Sequence, residues 1–101
     1  MIFIAGDWEK DRKRFDKAVE HLIQTEKYHS IYHDADIINI ADVYEKYPFL
    51  DYEQKLALSL TMLSFCDIIY MLKSWENHCD ARLWHEYACA HNYKIIYSKK
   101  F

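Results

Sequence analysis

The stretch Asp67-Ile-Ile-Tyr-Met-Leu72 indicates the fold most directly, because its apolar residues follow one another without interruption. A strand with one face in water alternates apolar and polar residues, whereas a continuous apolar run is typical of a strand buried on both faces. Met1–Ala5 is a second such run, and two further short strands are predicted over 36–40 and 94–98. Strands of this kind predict a parallel sheet, because parallel sheets are covered by helices on both sides.

Amphipathic segments separate the predicted strands. The first spans 7 to about 28, the second follows Asp51 as its N-cap, and the third runs from about Cys79 to Asn92. Residues 42–50, which include Pro48, predict an irregular loop. The order βαβαβαβ predicts an α/β fold of the flavodoxin-like or Rossmann-like type, in which helices cover both faces of a parallel sheet and form three layers with it. We expect this fold to be a single domain over 1–101.

The composition limits the class of protein. The 101 residues include 13 Lys and Arg against 16 Asp and Glu, and this net charge of −3 argues against a nucleic-acid partner. No apolar run approaches the ~20 residues of a membrane span, and three cysteines are too few for a disulfide scaffold, so we expect a cytoplasmic protein without a membrane partner. The single glycine excludes the glycine-rich loops that bind dinucleotides and nucleotide phosphates, and we expect no cofactor.

The expected ligand site is the edge of the sheet where the strands end, because ligands of open α/β sheets bind outside the carboxyl ends of the strands. The residues that the sequence places there, or one helical turn beyond, are Gly6, Asp7, Trp8, Asp42, Trp75, Asn77, His78 and Trp84. A tryptophan ring in such a position suits a heterocyclic base, since stacking on an aromatic side chain contributes about 1–3 kcal/mol. For Trp8 and Trp84, packing against a helix or in the core is the alternative interpretation.

Two carboxylates near this edge, Glu76 and Asp80, are candidates for acid or nucleophile roles in glycosidic-bond chemistry. Asp80 has an alternative role as the N-cap of the third helix. Together with Asp7 and Asp42 these residues make the edge acidic. The sequence therefore predicts that a neutral nucleoside binds better than its monophosphate.

The sequence also contains histidine and cysteine residues that are candidates for metal ligands. His85 and Cys89 lie four residues apart on the predicted third helix, and His78 and Cys79 precede them. Structural zinc needs four ligands on convergent faces, and the stretch 85–89 lacks the second histidine of the metalloprotease motif His-Glu-x-x-His. We therefore expect no metal site.

Three segments carry a resemblance to a known group of proteins. Met1-Ile-Phe-Ile-Ala-Gly6 is similar to the opening strand and turn of the nucleoside 2-deoxyribosyltransferase-like superfamily, and Ile38-Asn-Ile-Ala41 is similar to its Asn-Pro-Ala segment. The stretch from Cys66 through Trp75-Glu-Asn77 to Ala81-Arg-Leu83 resembles its most specific motif. Within the superfamily, the chain most resembles a small family of uncharacterised phage and bacterial proteins.

The resemblance implies a nucleoside or nucleotide site with altered chemistry. Enzymes of the superfamily cleave or exchange N-glycosidic bonds with a glutamate nucleophile and a helper aspartate, whose positions correspond here to Trp84 and Ser59. Their phosphate-binding Ser and Gly correspond to His78 and Asp80. A nucleoside-binding domain without catalysis is therefore expected. The alternatives are an active hydrolase or deoxyribosyltransferase that uses Glu76 or Asp80, and a phage-type protein that binds and inhibits a host factor. A homodimer is also consistent with the resemblance.

Overall fold

Four parallel strands form the sheet in the computed structural model, which describes residues 1–24 and 36–101. They are β1 (Ile2–Ala5), β2 (Ile37–Asn39), β3 (Ile68–Met71) and β4 (Lys94–Tyr97). Their order across the sheet is β2-β1-β3-β4, and each neighbouring pair is parallel. The sheet confirms the predicted α/β fold, and the two central strands, β1 and β3, are buried along their whole length.

The helices of the described ranges are α1 (Arg12–Gln24), α2 (Ile40–Lys46), α3 (Tyr52–Ser64) and α4 (Cys79–Ala90). The N-cap of α3 is the predicted Asp51, whose side chain accepts a hydrogen bond from the Gln54 N–H at 2.8 Å. The Asp51 N–H donates in return to the Gln54 side chain at 3.0 Å. The predicted end of α1, beyond residue 24, lies outside the described residues. None of these helices is long and apolar enough to cross a bilayer.

Helix α2 corrects the prediction of an irregular loop over 42–50. The Asn39 side chain accepts a hydrogen bond from the Asp42 N–H at 3.2 Å and so caps the helix. Pro48 disfavours helical geometry at the residue before it, which leaves the preceding residues free to be helical. The helix therefore ends at Lys46, and only the remainder of the predicted loop is irregular.

The helices pack in two layers on opposite faces of the sheet. Right-handed crossovers place α1 on one face and α3 and α4 on the other, because β2 and β4 lie on opposite sides of the central pair. On the second face, Phe3 of β1 contacts the Trp84 ring edge to face with 5.2 Å between centroids. Trp84 in turn donates a hydrogen bond to Ser59 of α3 at 2.9 Å, so both helices share one core with β1.

The ends of β1 and β3 remain close to each other beyond the paired residues. Gly6 follows β1, and the Leu72 N–H donates to the Ala5 carbonyl at 2.8 Å. A Cβ at position 6 would lie 2.9 Å from both Cβ and Cδ1 of Leu72, which is closer than packed carbon atoms come. Packing therefore requires the only glycine of the chain, and its presence needs no ligand.

We expect Gly6→Ala to lower the free energy of unfolding by about 1–3 kcal/mol, because the added methyl group forces Leu72 or the strand ends to move. Urea unfolding followed by circular dichroism measures the change. In a Leu72→Ala background the same substitution should have a clearly smaller effect, since the space that Leu72 occupies is then open. Equal losses in the two backgrounds would show that glycine is required for another reason.

Candidate functional site

A buried carboxylate joins three segments at the carboxyl edge of the sheet. Asp80, in the first turn of α4, is 2% exposed, and its Oδ2 accepts a hydrogen bond from Trp8 Nε1 at 3.0 Å. Its Oδ1 accepts a hydrogen bond from the Tyr52 hydroxyl at 2.5 Å, and this bond raises the pKa of Tyr52 well above its ordinary value. Asp80 thus holds the loop after β1 and the start of α3 against α4, with both of its oxygen atoms in use.

The N-cap of α4 is His78, which corrects the prediction that Asp80 has this role. His78 Nδ1 accepts a hydrogen bond from the Ala81 N–H at 3.4 Å. Since Nδ1 accepts, the ring proton is assigned to Nε2, which donates to Glu9 Oε1 at 3.1 Å. Asp80 lies within the first turn instead, where the helix dipole still favours its negative charge.

One group of three potential metal ligands lies close together among the described residues, with the ligand atoms within 4.8 Å of one another. It consists of Asp7, Glu9 and His78. The Asp7 carboxylate already accepts hydrogen bonds from the N–H groups of Glu9 and Lys10, both at 3.1 Å. A cation would need the lone pair of His78 Nε2, whereas the contact with Ala81 leaves the proton on that nitrogen. The group therefore fits a hydrogen-bonded loop better than a metal centre.

A cleft of about 360 Å³ lies at the carboxyl ends of β1 and β2, within the size range of small-molecule sites. Its lining consists of Trp8, Glu9, Arg12, Ala41, Tyr44, Glu45, Pro48 and Lys55. Trp8 and Tyr44 pack edge to face with 4.8 Å between their ring centroids. The Tyr44 hydroxyl donates to the Lys55 carbonyl at 2.8 Å, and burial raises the pKa of Tyr44 to about 12, so the phenol stays protonated.

Lys55 is a cation of this cleft that has aromatic rather than ionic neighbours. It is half-buried on α3, and its Nζ lies 5.1 Å from the centroid of the Trp8 ring and 5.7 Å from that of Tyr44. Among the ion pairs of the described residues, none involves Lys55. The ammonium group therefore lies over two rings at the cleft, with no counter-ion among the residues that the structure describes.

Asp42, which the sequence places at the ligand site, belongs to an ion-pair network beside the cleft. Arg12 donates to Asp42 at 3.0 Å and to Glu45 at 2.8 Å. It also contacts Asp16, one turn along α1. Lys46 lies 3.1 Å from the second oxygen of Asp42. The charge of Asp42 is thus compensated on two sides, and its carboxylate is absent from the lining of the cleft.

Trp84 lies in the hydrophobic core, as the alternative interpretation of this residue has it. Its side chain is 0% exposed, between Phe3 of β1 and Ser59 of α3. The Ser59 hydroxyl accepts from the indole N–H and donates to the Leu56 carbonyl at 2.7 Å. The ring therefore offers no surface to a ligand in this arrangement, which leaves Trp8 as the tryptophan that lines the cleft.

The remaining candidates of the loop after β3 form a separate surface. Trp75 stacks on His85 with 4.2 Å between ring centroids, and His85 Nε2 lies 2.7 Å from the Tyr97 hydroxyl. Glu76 and Asn77 are exposed in a single turn of 3₁₀ helix. None of Trp75, Glu76 and Asn77 lines the cleft. The structure thus separates these side chains from Trp8, with which the sequence grouped them.

The sequence prediction did not include Glu9, Tyr44, Tyr52 or Lys55 among the site residues. Tyr52 and Lys55 lie in the first turns of α3, which begins at the same edge as the strand ends because it leads from the end of β2 back to the start of β3. This rule of βαβ connections is the feature of the sequence that indicates the start of α3 as part of the site.

One comparison with known protein families gives a match. The family model described as a domain of unknown function, DUF4406, matches residues 3–97, from β1 to the end of β4. No curated protein and no solved structure gives a match. The function therefore has to be inferred from the residues of the cleft.

Proposed function

We propose, for a chain that belongs to the DUF4406 family of domains of unknown function, that its cleft binds a small nucleoside-like molecule without cleaving the N-glycosidic bond. The observation that carries the proposal is the cleft of about 360 Å³ at the ends of β1 and β2, with the Trp8 ring in its wall. This is the edge at which open α/β sheets bind their ligands.

A purine or pyrimidine base matches the chemistry of this lining. The Trp8 ring is half-buried, and stacking of a base on such a ring contributes about 1–3 kcal/mol. Glu9 and Arg12 supply an acceptor and donors for sugar hydroxyls or for the edge of a base. The resemblance of the opening strand and of the Cys66–Leu83 region to nucleoside-processing proteins supports the same ligand class.

The positions that the resemblance assigns to catalysis argue for a binding domain. The counterparts of the nucleophile and the helper acid are Trp84 and Ser59, and these side chains are hydrogen-bonded to each other in the core. Asp80 has both oxygen atoms engaged and is buried, and Glu76 does not line the cleft. Loss of a nucleophile and of an acid each removes factors of about 10² or more from a reaction rate.

An N-glycosidic hydrolase is the second candidate, and Glu9 is the observation that favours it. Its carboxylate lines the cleft, is largely exposed, and accepts a hydrogen bond from His78 Nε2 at 3.1 Å. A carboxylate in this position has the chemistry of a nucleophile for the sugar carbon. In this version of the enzyme hypothesis, Glu9 takes the role that the sequence assigned to Glu76 or Asp80.

Isothermal titration calorimetry with the common 2′-deoxynucleosides and their 5′-monophosphates tests the binding proposal. We expect saturable binding of at least one compound, and about tenfold weaker binding by Trp8→Ala, as the loss of one stacked base predicts.

Trp8→Ala also removes a donor to Asp80. Asp80→Asn is therefore the matched control, because it alters the same hydrogen bond and keeps the ring. Trp75→Ala should bind like the native protein. Failure of every compound to bind would refute the proposal.

Chromatography of the same mixtures after long incubation separates the two candidate functions. We expect no free base above the level of a protein-free control. Release of base that disappears in Glu9→Gln would instead favour the hydrolase and identify Glu9 as its nucleophile. If base release instead disappears only in Glu76→Gln or only in Asp80→Asn, the catalytic residue is Glu76 or Asp80, the two candidates that the sequence predicted.

A further inference from the structure

We propose that Lys55 is the residue that recognises an anionic group of the ligand, so that the cleft prefers a phosphate-bearing molecule to the neutral nucleoside. This inference rests on the proposed function and adds the charge of the ligand and the residue that selects it. No feature of the sequence assigned a role to Lys55, and the sequence predicted the opposite preference. Three observations on the described residues support it: the pairing of the cleft charges, the position of Lys55 and the state of the nearby carboxylates.

The charged side chains that line the cleft are Glu9, Arg12, Glu45 and Lys55. Glu9 accepts a hydrogen bond from His78 at 3.1 Å, and Arg12 donates to Glu45 at 2.8 Å. Lys55 takes part in none of the ion pairs of the described ranges. Arg12 and Glu45 therefore form an ion pair, and Glu9 has a hydrogen bond from a neutral ring. Lys55 is the cation of the lining that has no ionic partner among the described residues.

The position of Lys55 makes it suitable for an anion. Its ammonium lies 5.1 Å from the centroid of the Trp8 ring and 5.7 Å from that of Tyr44, and the side chain is half-buried. The rings compensate part of the lost hydration, but they accept no conventional hydrogen bond from its N–H groups. In a partly dehydrated cleft, a phosphate oxygen would gain more from this cation than it would at an exposed lysine.

The carboxylates that led the sequence to predict a neutral ligand do not act together at the cleft. Asp42 is paired with Arg12 and Lys46. Asp80 is buried and accepts hydrogen bonds with both oxygens, and Glu76 lies outside the lining. Asp7 accepts hydrogen bonds from two N–H groups of its own loop and also lies outside the lining. The repulsion that the sequence expected from these four carboxylates is therefore reduced, and the carboxylates that line the cleft are Glu9 and Glu45. The N-terminus of α4 is not an alternative anion site, since His78 and Asp80 already occupy it.

Calorimetry with 2′-deoxyadenosine and 2′-deoxyadenosine 5′-monophosphate at low salt tests the inference. In the native protein we expect the monophosphate to bind about tenfold more tightly than the nucleoside, and added salt to weaken the monophosphate alone. Lys55→Met should bring the monophosphate down to the affinity of the nucleoside and leave the nucleoside within about twofold of its native value. Lys55→Arg should keep most of the preference. Lys13→Met, an exposed lysine of α1, is the matched control and should behave like the native protein.

The outcomes separate this inference from the proposed function. Equal affinities of the two compounds in the native protein would overturn the role of Lys55 and leave nucleoside binding intact. A monophosphate preference that survives in Lys55→Met would overturn it as well, because another residue would then recognise the phosphate. Inorganic phosphate should compete with the monophosphate in the native protein and not in Lys55→Met. Binding of neither compound, nor of the other deoxynucleosides, would remove the proposed function itself.

Discussion

Asp80→Ala is expected to lower the free energy of unfolding by about 3 kcal/mol and the Tm by roughly 12–24 °C. The Asp80 carboxylate accepts one hydrogen bond from Trp8 and one from Tyr52 at a nearly closed site. Its removal leaves the indole N–H without an acceptor, whereas the more exposed Tyr52 hydroxyl can turn to water. Most of the loss is therefore expected from the unpaired indole. Urea unfolding and thermal melting followed by circular dichroism measure it.

Glu86→Ala is the matched control, because Glu86 is an exposed carboxylate on the same helix, α4. We expect this variant to lie within about 0.5 kcal/mol of the native protein. Asp80→Asn should fall between the two, since its amide keeps one oxygen as an acceptor. If Asp80→Ala and Glu86→Ala lose the same stability, the carboxylate of Asp80 does not hold the loops together, and a role toward a ligand becomes the better explanation.

The role of Asp80 illustrates what a sequence can and cannot indicate about a buried polar residue. Its position near the start of a predicted helix suggested a local cap, because capping is decided within a few residues. Its actual partners, Trp8 and Tyr52, are 72 and 28 residues away along the chain. The choice between a local and a distant partner is made by tertiary packing, and a single sequence contains no direct measure of it.

The sheet was more predictable than the site for a related physical reason. Continuous apolar runs such as 1–5 and 67–72 reflect burial on both faces, which affects every residue of a central strand. The observed strands lie inside these runs: β1 is one residue shorter at its start, and β3 is one residue shorter at each end. The sequence does not indicate helix α2, because the start of this helix depends on one side-chain cap at Asn39 and the nearby Pro48 is typical of a loop.

The separation of Trp8, Trp75 and Trp84 could not be predicted from their spacing. All three are near strand ends or one turn beyond, yet they line the cleft, stack on His85 and fill the core, respectively. An aromatic residue supplies the same apolar area in each of these places, so its type does not distinguish them. The start of α3 was predictable in principle, because the connection from β2 to β3 has to begin at the carboxyl edge.

We expect Trp84→Glu to yield an unfolded chain rather than an active enzyme. The substitution restores a carboxylate at the position that the resemblance assigns to the nucleophile, but this side chain is 0% exposed. Loss of a buried tryptophan costs about 3–5 kcal/mol, and an unpaired buried charge costs several more. Together they approach or exceed the 5–15 kcal/mol by which domains are typically stable. Circular dichroism and nuclear magnetic resonance measure the fold, and chromatography measures release of free base.

Trp84→Phe and Ser59→Ala measure how much of the stability that Trp84 provides comes from its hydrogen bond to Ser59. Each single variant removes one side of the 2.9 Å hydrogen bond, and the double variant removes both. We expect a coupling free energy of about 1 kcal/mol between the two positions, as for a buried hydrogen bond. Trp84→Phe should remain folded, because most of its contact with Phe3 can be kept. A folded Trp84→Glu protein with a near-native Tm would mean that position 84 reaches solvent, and the argument against catalysis at this position would then fail.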